Sequence, residues 1–498
     1  MTINRKHLLS LLCVIFIALV VYILYALNRP KPYNLVVITI DALRPDHLGC
    51  YGYERETSPC IDRIAESGVL FTQAISQAPE TGASIPFLMS SLYPSQHGIR
   101  RPSEVPLTPS STLGDILKKD GYHTAAIVAH AEQAWVTKGF DYTYFNIEGS
   151  AAQINREAIA WLEKNKDRRL FLWLHYFDAH APYLNPDPAY QKLFLPPALK
   201  DKGAEYFEAK YYWVAISEKD QLRAEPYFVT FPSKVKARDE KELRRKIRYF
   251  KDTPGFLDAV FPLFTKQALD GNISKEDKDY YISQYDGGIR LVDDYIAVFL
   301  NELERQGLLK NTLIVLTADH GENLADYSNN FYHGDSLYDV LLKVPLIIKG
   351  PGLPEGRTIK RQVQSIDIMP TILDILNIKG DPRMEGNSLC ALISGKAEGW
   401  PEHAFSENLH EGYEMQSIRS EDWKLIHNLN KDTYELYDLK NDPYERSNMA
   451  YEKDKISRSL KSRLEQWIES IGAPGRVLDK GMDPESMEKL MSLGYAIK

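Results

Sequence analysis

The chain has 498 residues, 44% hydrophobic and 26% charged, with a formal net charge of −8. A chain this long and this apolar can bury a core without disulfide or metal staples, and its length allows two to four structural units. The acidic balance, with no long block of Lys and Arg, excludes a nucleic-acid partner, so an anionic small ligand would have to be met by local positive charge, most simply a bound cation.

Leu8 to Leu27 is a run of twenty residues without a charge. At about 1.5 Å per residue it reaches across the ~30 Å hydrocarbon core of a bilayer. It has no small-residue cleavage exit, so residues 1–32 are read as a tail and an uncleaved single-pass anchor. Arg5 and Lys6 on one side balance Arg29 and Lys31 on the other. The N-terminal amine tips this tie toward a cytoplasmic tail, with the body in the periplasm or outside the cell. Cys13 lies inside the run. Cys50, Cys60 and Cys390 match no zinc spacing, and a Cys50–Cys60 disulfide stands beside unpaired buried thiols as an alternative.

After the anchor, Asn34 to Ile40 is a continuous apolar, β-branched run that predicts a buried, parallel strand. Similar runs recur at His123 to Ala129, Leu170 to His175, Thr312 to Thr317 and Val344 to Ile348. Helical patterns fall between them at Ser58 to Ser67, Thr112 to Asp120, Asn155 to Lys164 and Ile289 to Gln306. Alternating strands and helices predict an α/β sandwich around a mostly parallel sheet. Residues 33–400 are read as this domain. Residues 186–279 break its rhythm and read as an insertion over one sheet edge. Residues 401–498 read as a smaller C-terminal subdomain and tail, with short antiparallel strands at Met415 to Arg419, Trp423 to His427 and Tyr434 to Leu439. A helix from Glu452 to Ile471 follows.

Chemistry concentrates where strands end. Asp41 follows the first strand directly, and Asp319-His320-Gly321-Glu322 follows Thr312 to Thr317 in the same way. In open α/β sheets ligands gather at the carboxyl ends of the strands. Two Asp and one His are hard-to-borderline ligands that suit one divalent ion, Ca²⁺, Mn²⁺, Mg²⁺ or Zn²⁺.

The motifs taken together are more specific. They begin with Val37 to Gly52 around Asp41-Ala42-Leu43-Arg44-Pro45-Asp46, then Leu92-Tyr93-Pro94 to Gly98. His175-Tyr176-Phe177-Asp178-Ala179-His180 and Thr317 to Glu322 follow, then His333-Gly334 and Ser365 to Thr371. Trp423-Lys424-Leu425 and Glu435 to Leu439 complete the set. In this order the chain resembles the sulfatase family of the alkaline-phosphatase superfamily from about residue 33 to 470, the insertion apart. The resemblance implies a three-layer α/β/α sandwich with a mostly parallel central sheet plus a small C-terminal α+β subdomain.

It also implies roles. The family carries its nucleophile at a helix N-terminus in a Cys/Ser-x-Pro-x-Arg motif whose first residue becomes formylglycine. Counting back from Tyr93-Pro94 puts Thr81 there, with Ala83 and Ile85 at the Pro and Arg positions, so no formylglycine is expected. Thr81 becomes an unmodified nucleophile and a metal contact beside Asp41, Asp319 and His320. A hydroxyl next to a metal ion is acidified, and a helix N-terminus favours the transferring anion. By the same resemblance His180 and His333 contact the oxyanion or protonate the leaving group. A second-metal role for His180 with Asp178 stands as an alternative. Arg44 is a candidate anion contact, and Asp178 a supporting residue.

The reading is a metal-dependent hydrolase or transferase of an anionic ester on a glycan, lipid head group or small molecule. A Thr ester cannot expel its own sulfate as a formylglycine hydrate can, which favours phosphodiester or phosphonate chemistry. A sulfuric-ester hydrolase, and a catalytically inactive binding protein of the same fold, are the alternatives.

Overall fold

A computed structural model describes residues 33–99, 104–105, 111–129, 134–137, 139–145, 150–180, 183, 187–200, 214–218, 221–225, 275–327, 331–409, 414–472 and 478–479. The Leu8 to Leu27 run and much of the 186–279 insertion lie outside these residues. Among the described residues no helix is long and apolar enough to cross a membrane.

The core is one nine-stranded sheet. Its strands are β1 (Asn34–Ile40), β2 (Val69–Ile75), β3 (His123–Val128), β4 (Tyr142–Phe145), β5 (Leu170–Tyr176), β6 (Thr312–Ala318), β7 (Lys343–Lys349), β8 (Arg357–Ile359) and β9 (Val363–Gln364). The order is β8-β2-β7-β6-β1-β5-β3-β4, with β9 also on β2. β1 pairs in parallel with both β5 and β6, and every residue of these three strands is buried. That is why they read as unbroken apolar runs: covered on both faces, they have no polar side to alternate. β7 is the exception in direction. It runs antiparallel to both β6 and β2.

Helices cover both faces. α1 (Pro59–Glu66) and α4 (Ala151–Asn165) pack on the long α5 (Lys275–Arg305), while α2 (Thr81–Ser90) touches α3 (Leu113–Lys119) and α6 (Ile368–Ile375). The three-layer sandwich expected from the sequence is therefore present. α5 begins 14 residues before the predicted start at Ile289 and takes in the end of the assigned insertion. Cys50, Cys60 and Cys390 are free thiols, so the disulfide alternative falls.

The C-terminal subdomain is a four-stranded antiparallel meander, β10 (Ala404–Asn408), β11 (Met415–Arg419), β12 (Trp423–Asn428) and β13 (Thr433–Asp438), followed by α7 (Asp454–Ile471). Trp467 of α7 stacks on Phe405 at 4.5 Å and meets Tyr93 edge-on at 4.9 Å. Aromatic contacts of this kind seal the subdomain against the segment that follows α2.

Candidate active site

β1, β2, β5 and β6 run in the same direction, so their carboxyl ends share one edge of the sheet. Asp41 extends β1, Asp319-His320 extends β6, the loop from Phe177 to His180 extends β5, and the loop from Ser76 to Glu80 leads from β2 into α2. The Ser76 hydroxyl donates to the Asp319 carbonyl at 2.6 Å and so ties the loop before α2 to the metal-ligand loop. Tyr285 of α5 holds the turn after β1: its hydroxyl donates to the Ala42 carbonyl at 2.8 Å and accepts from the Arg44 amide at 2.9 Å.

Asp41, Asp319 and His320 are fully buried and bring ligand atoms within 4.8 Å of one another. Asp319 Oδ1 accepts the Ala42 and His320 amides, whereas Asp319 Oδ2 and Asp41 Oδ1 have no hydrogen-bond partner. His320 Nδ1 lies 2.7 Å from the Gly321 carbonyl, which only a protonated Nδ1 can satisfy. Its Nε2 lies 3.6 Å from Asp41 Oδ1 and 3.5 Å from Asp319 Oδ2, where, once deprotonated, it can offer a lone pair to a cation. Two unpaired buried carboxylate oxygens beside that nitrogen are costly without a cation, and the Asp₂His set fits one divalent ion. Burial, and then the charge of Asp319, push the Asp41 carboxyl well above its usual range. Burial works against ionisation of Asp319 too, but His320 and then His175 outweigh it and hold that carboxyl low.

Thr81 is the first residue of α2, all ten residues of which are buried. Its hydroxyl lies 3.2 Å from Asp41 Oδ2 and 3.1 Å from His320 Nε2. The helix N-terminus adds partial positive charge at the same point. His333 and His180 flank this centre: the His333 ring is 4.3 Å from His320 and 4.9 Å from His180, which stacks on Phe177 at 4.1 Å.

Arg44 and Asp178 are each engaged by neighbours other than the three ligands. Arg44 is held by both oxygens of Asp46, at 3.0 and 2.7 Å, by Asp326 at 2.5 Å and by the Glu322 carbonyl at 3.1 Å. The Asp178 carboxylate accepts the Ala151 amide at 2.9 Å, at the start of α4, and burial raises its pKa to about 7.

Two residues that the sequence reading did not single out also reach the site. His175 Nε2 lies 3.4 Å from Asp41 Oδ2, while its Nδ1 meets Thr39 Oγ1 at 2.8 Å. Glu322, fully buried, has its carboxylate oxygens 3.2 and 3.4 Å from His333 Nδ1. Burial raises the Glu322 pKa to about 8; burial, and then the charge of His320, push His333 well below its ordinary value. Glu322 could have been noticed as the last residue of the Asp-His-Gly-Glu motif, and His175 as the first of the His175 to His180 motif.

A buried Asp₂His set able to hold a cation, a hydroxyl on a helix N-terminus and two flanking histidines meet at this one site. The chain belongs to the sulfatase family: the sulfatase family model matches residues 33–378, and the model of the N-sulphoglucosamine sulphohydrolase C-terminal region matches residues 328–470. It is a hydrolase of that class, whose members use a divalent metal ion. Among curated relatives it is similar to an N-acetylglucosamine-6-O-sulfatase of Bacteroides thetaiotaomicron, 23% identical over 94% of this chain and 90% of the relative. It is also 25% identical to an arylsulfatase of Clostridium perfringens over 84% of this chain and 90% of the relative. The fold is shared with a solved complex of D-glucosamine-2-N,6-O-disulfate, with TM-score 0.69, 22% identity and coverage of 91% of this chain and 100% of that one. It is shared as well with the phosphonate monoester hydrolase of Agrobacterium radiobacter, with TM-score 0.66, 20% identity and coverage of 88% and 96%.

Proposed function

We propose that the chain cleaves or transfers an anionic phosphodiester- or phosphonate-type ester with unmodified Thr81 as nucleophile. The observation that carries this reading is the Thr81 hydroxyl, set between Asp41 Oδ2 and His320 Nε2 at the head of α2. A divalent ion held by Asp41, Asp319 and His320 would supply positive charge beside that hydroxyl and beside the substrate's non-bridging oxygens. Thr81 Oγ forms the bond to phosphorus, its proton passes to Asp41 Oδ2, and the alcohol oxygen of the ester departs with its electron pair. His180 and His333 face the oxyanion and the leaving oxygen. Water or an acceptor hydroxyl then opens the Thr81 ester, and Thr81 recovers its proton. The helix N-terminus binds the transferring anion in both halves.

Thr81→Ala should keep its fold and its cation yet lose turnover by about 10³-fold or more, since nucleophile and positioning vanish together. Thr81→Ser should keep a measurable fraction. Aryl sulfate, methyl aryl phosphodiester and aryl phosphonate would be assayed side by side across a metal panel. Wild-type rates in Thr81→Ala would sink the assignment.

A second reading is hydrolysis of a sulfuric ester on a glycan or small molecule. It is supported by curated relatives named as glycan sulfatases, including a delta 4,5-hexuronate-2-O-sulfatase of Bacteroides thetaiotaomicron. Turnover of the aryl sulfate alone would favour it.

The location belongs to the same proposal. The Leu8 to Leu27 run would tether the body outside the cytoplasm, in reach of extracytoplasmic esters. Protease added to spheroplasts should then digest the body, and its protection there would contradict the tether's orientation.

A further inference from the structure

We propose that Tyr285 is a positioning residue of the cation site: its hydroxyl holds Ala42 in a left-handed turn whose amide fixes the Asp319 carboxylate. This rests on the reading of Asp41, Asp319 and His320 as the ligands of one divalent ion. Ala42 stands between two of them. It follows Asp41 in the chain, and its amide donates to Asp319 Oδ1 at 3.2 Å. The His320 amide donates to the same oxygen at 2.9 Å, so Oδ2 is the oxygen left for the ion.

Ala42 has a φ of 55°, in the region where a Cβ crowds the following carbonyl. An alanine in a free turn leaves that region. Here it is held from both sides: Asp319 takes its amide, and its carbonyl accepts the Tyr285 hydroxyl at 2.8 Å. The same hydroxyl accepts the Arg44 amide at 2.9 Å, so one oxygen closes the turn from Ala42 to Arg44.

Tyr285 is itself fixed. It is fully buried, and its ring meets His47 edge-on at 5.0 Å and Tyr183 edge-on at 5.7 Å. It stands on α5, which presses against the loop after β5 so closely that a Cβ at Gly288 would come 2.3 Å from the Asp178 carbonyl. Without the hydroxyl, the Ala42 carbonyl and the Arg44 amide lose their partner. Ala42 then relaxes toward negative φ, its amide leaves Oδ1, and the Asp319 carboxylate is free to turn. Outer contacts that orient a ligand set metal affinity by about 10–100-fold.

The test titrates the full chain calorimetrically with Ca²⁺, Mn²⁺, Mg²⁺ and Zn²⁺ in turn and follows the tightest ion. Tyr285→Phe, which keeps the ring, should bind it about 10-fold more weakly. Ala42→Gly supplies the background for the decisive comparison, because glycine takes a positive φ freely. Tyr285→Phe made in that background has less to release, and its loss should shrink to about 2-fold. Ile296→Ala, a cavity in the core beneath α5, should lower urea stability and leave ion affinity at the wild-type level. Wild-type affinity in Tyr285→Phe, or an undiminished loss in the Ala42→Gly background, would overturn the proposal. The second comparison decides it even where Tyr285→Phe alone does not fold. Failure of the parent reading shows differently, as an ion that Asp319→Asn binds as tightly as wild type.

Discussion

At the scale of single residues, what separates the ligands from their neighbours is the satisfaction of each oxygen. Asp319 gives one oxygen to two backbone amides and keeps the other unpartnered; Asp41 gives one to Thr81 and keeps the other unpartnered. Asp178, a carboxylate of the same kind in an equally suggestive motif, gives its charge to the α4 amide end. That Asp41, Asp319 and His320 come together was legible because Asp41 and Asp319 directly follow strands and His320 is the next residue, where topology predicts a ligand. The different position of Asp178 was not legible, because capping depends on where a distant helix starts. Glu322 stands in a visible motif, but its contact with His333 was hidden for a similar reason. Its partner is 11 residues away, across a turn whose path no local pattern specifies. Asp46 occupies the Arg44 fork from two positions along, which at once makes Arg44 a brace for the ligand loop and removes most of its reach toward an anion.

At the scale of elements, the central strands were legible because burial on both faces removes alternation. β10 was not. It buries Ser406, Glu407 and Asn408, and a strand that hides polar residues gives no apolar period. The early half of α5 was missed because Gly287-Gly288 resembles a break. A side chain at Gly288 would collide with the Asp178 carbonyl, so this glycine is a point of close approach and not a stop. The start of α6 carries a testable cost. Asp367 is 1% exposed and accepts the Gln364 and Asn387 amides at 2.8 Å each, and burial raises its pKa to about 7. A carboxyl raised in the folded state binds more protons there than in the unfolded chain. Its stabilisation is fully present below the unfolded value near 4 and is lost as pH rises through about 7. A shift of that size corresponds to roughly 4 kcal/mol. In Asp367→Asn, which does not titrate, urea-unfolding free energies from pH 5 to 7.5 should fall less than in wild type, and parallel pH profiles would refute the linkage.

At the scale of the whole molecule, the C-terminal subdomain reaches the metal-ligand loop through a buried ion network. Lys424 of β12, fully buried, lies 2.9 Å from Asp339 Oδ1 and 2.9 Å from Glu445 Oε1. Arg419 of β11 grips Asp339 at 3.0 and 2.8 Å. Burial works against ionised Asp339, but Arg419 and then Lys424 outweigh it and hold the carboxyl far below its usual range; burial raises Glu445 to about 7. Asp339 opens the short turn whose Val340 and Leu341 carbonyls accept the Glu322 and Gly321 amides at 3.1 and 2.7 Å. The network therefore sets the backbone that carries Asp319 and His320. Removing one partner of a buried ion pair costs about 3–5 kcal/mol, because the remaining charges stay buried. Lys424→Met should lose stability on that order and also bind the divalent ion more weakly, by about 10-fold, a change of ~1.4 kcal/mol in binding. Leu436→Ala, which opens a cavity in the same sheet without removing a charge of the network, should cost about 2–5 kcal/mol of stability while leaving cation affinity near wild type. Calorimetric titration of each variant with the same metal, with Asp319→Asn as the non-binding control, separates the two effects. If Lys424→Met binds the ion as tightly as wild type, the subdomain is fastened to the catalytic domain without shaping its metal site.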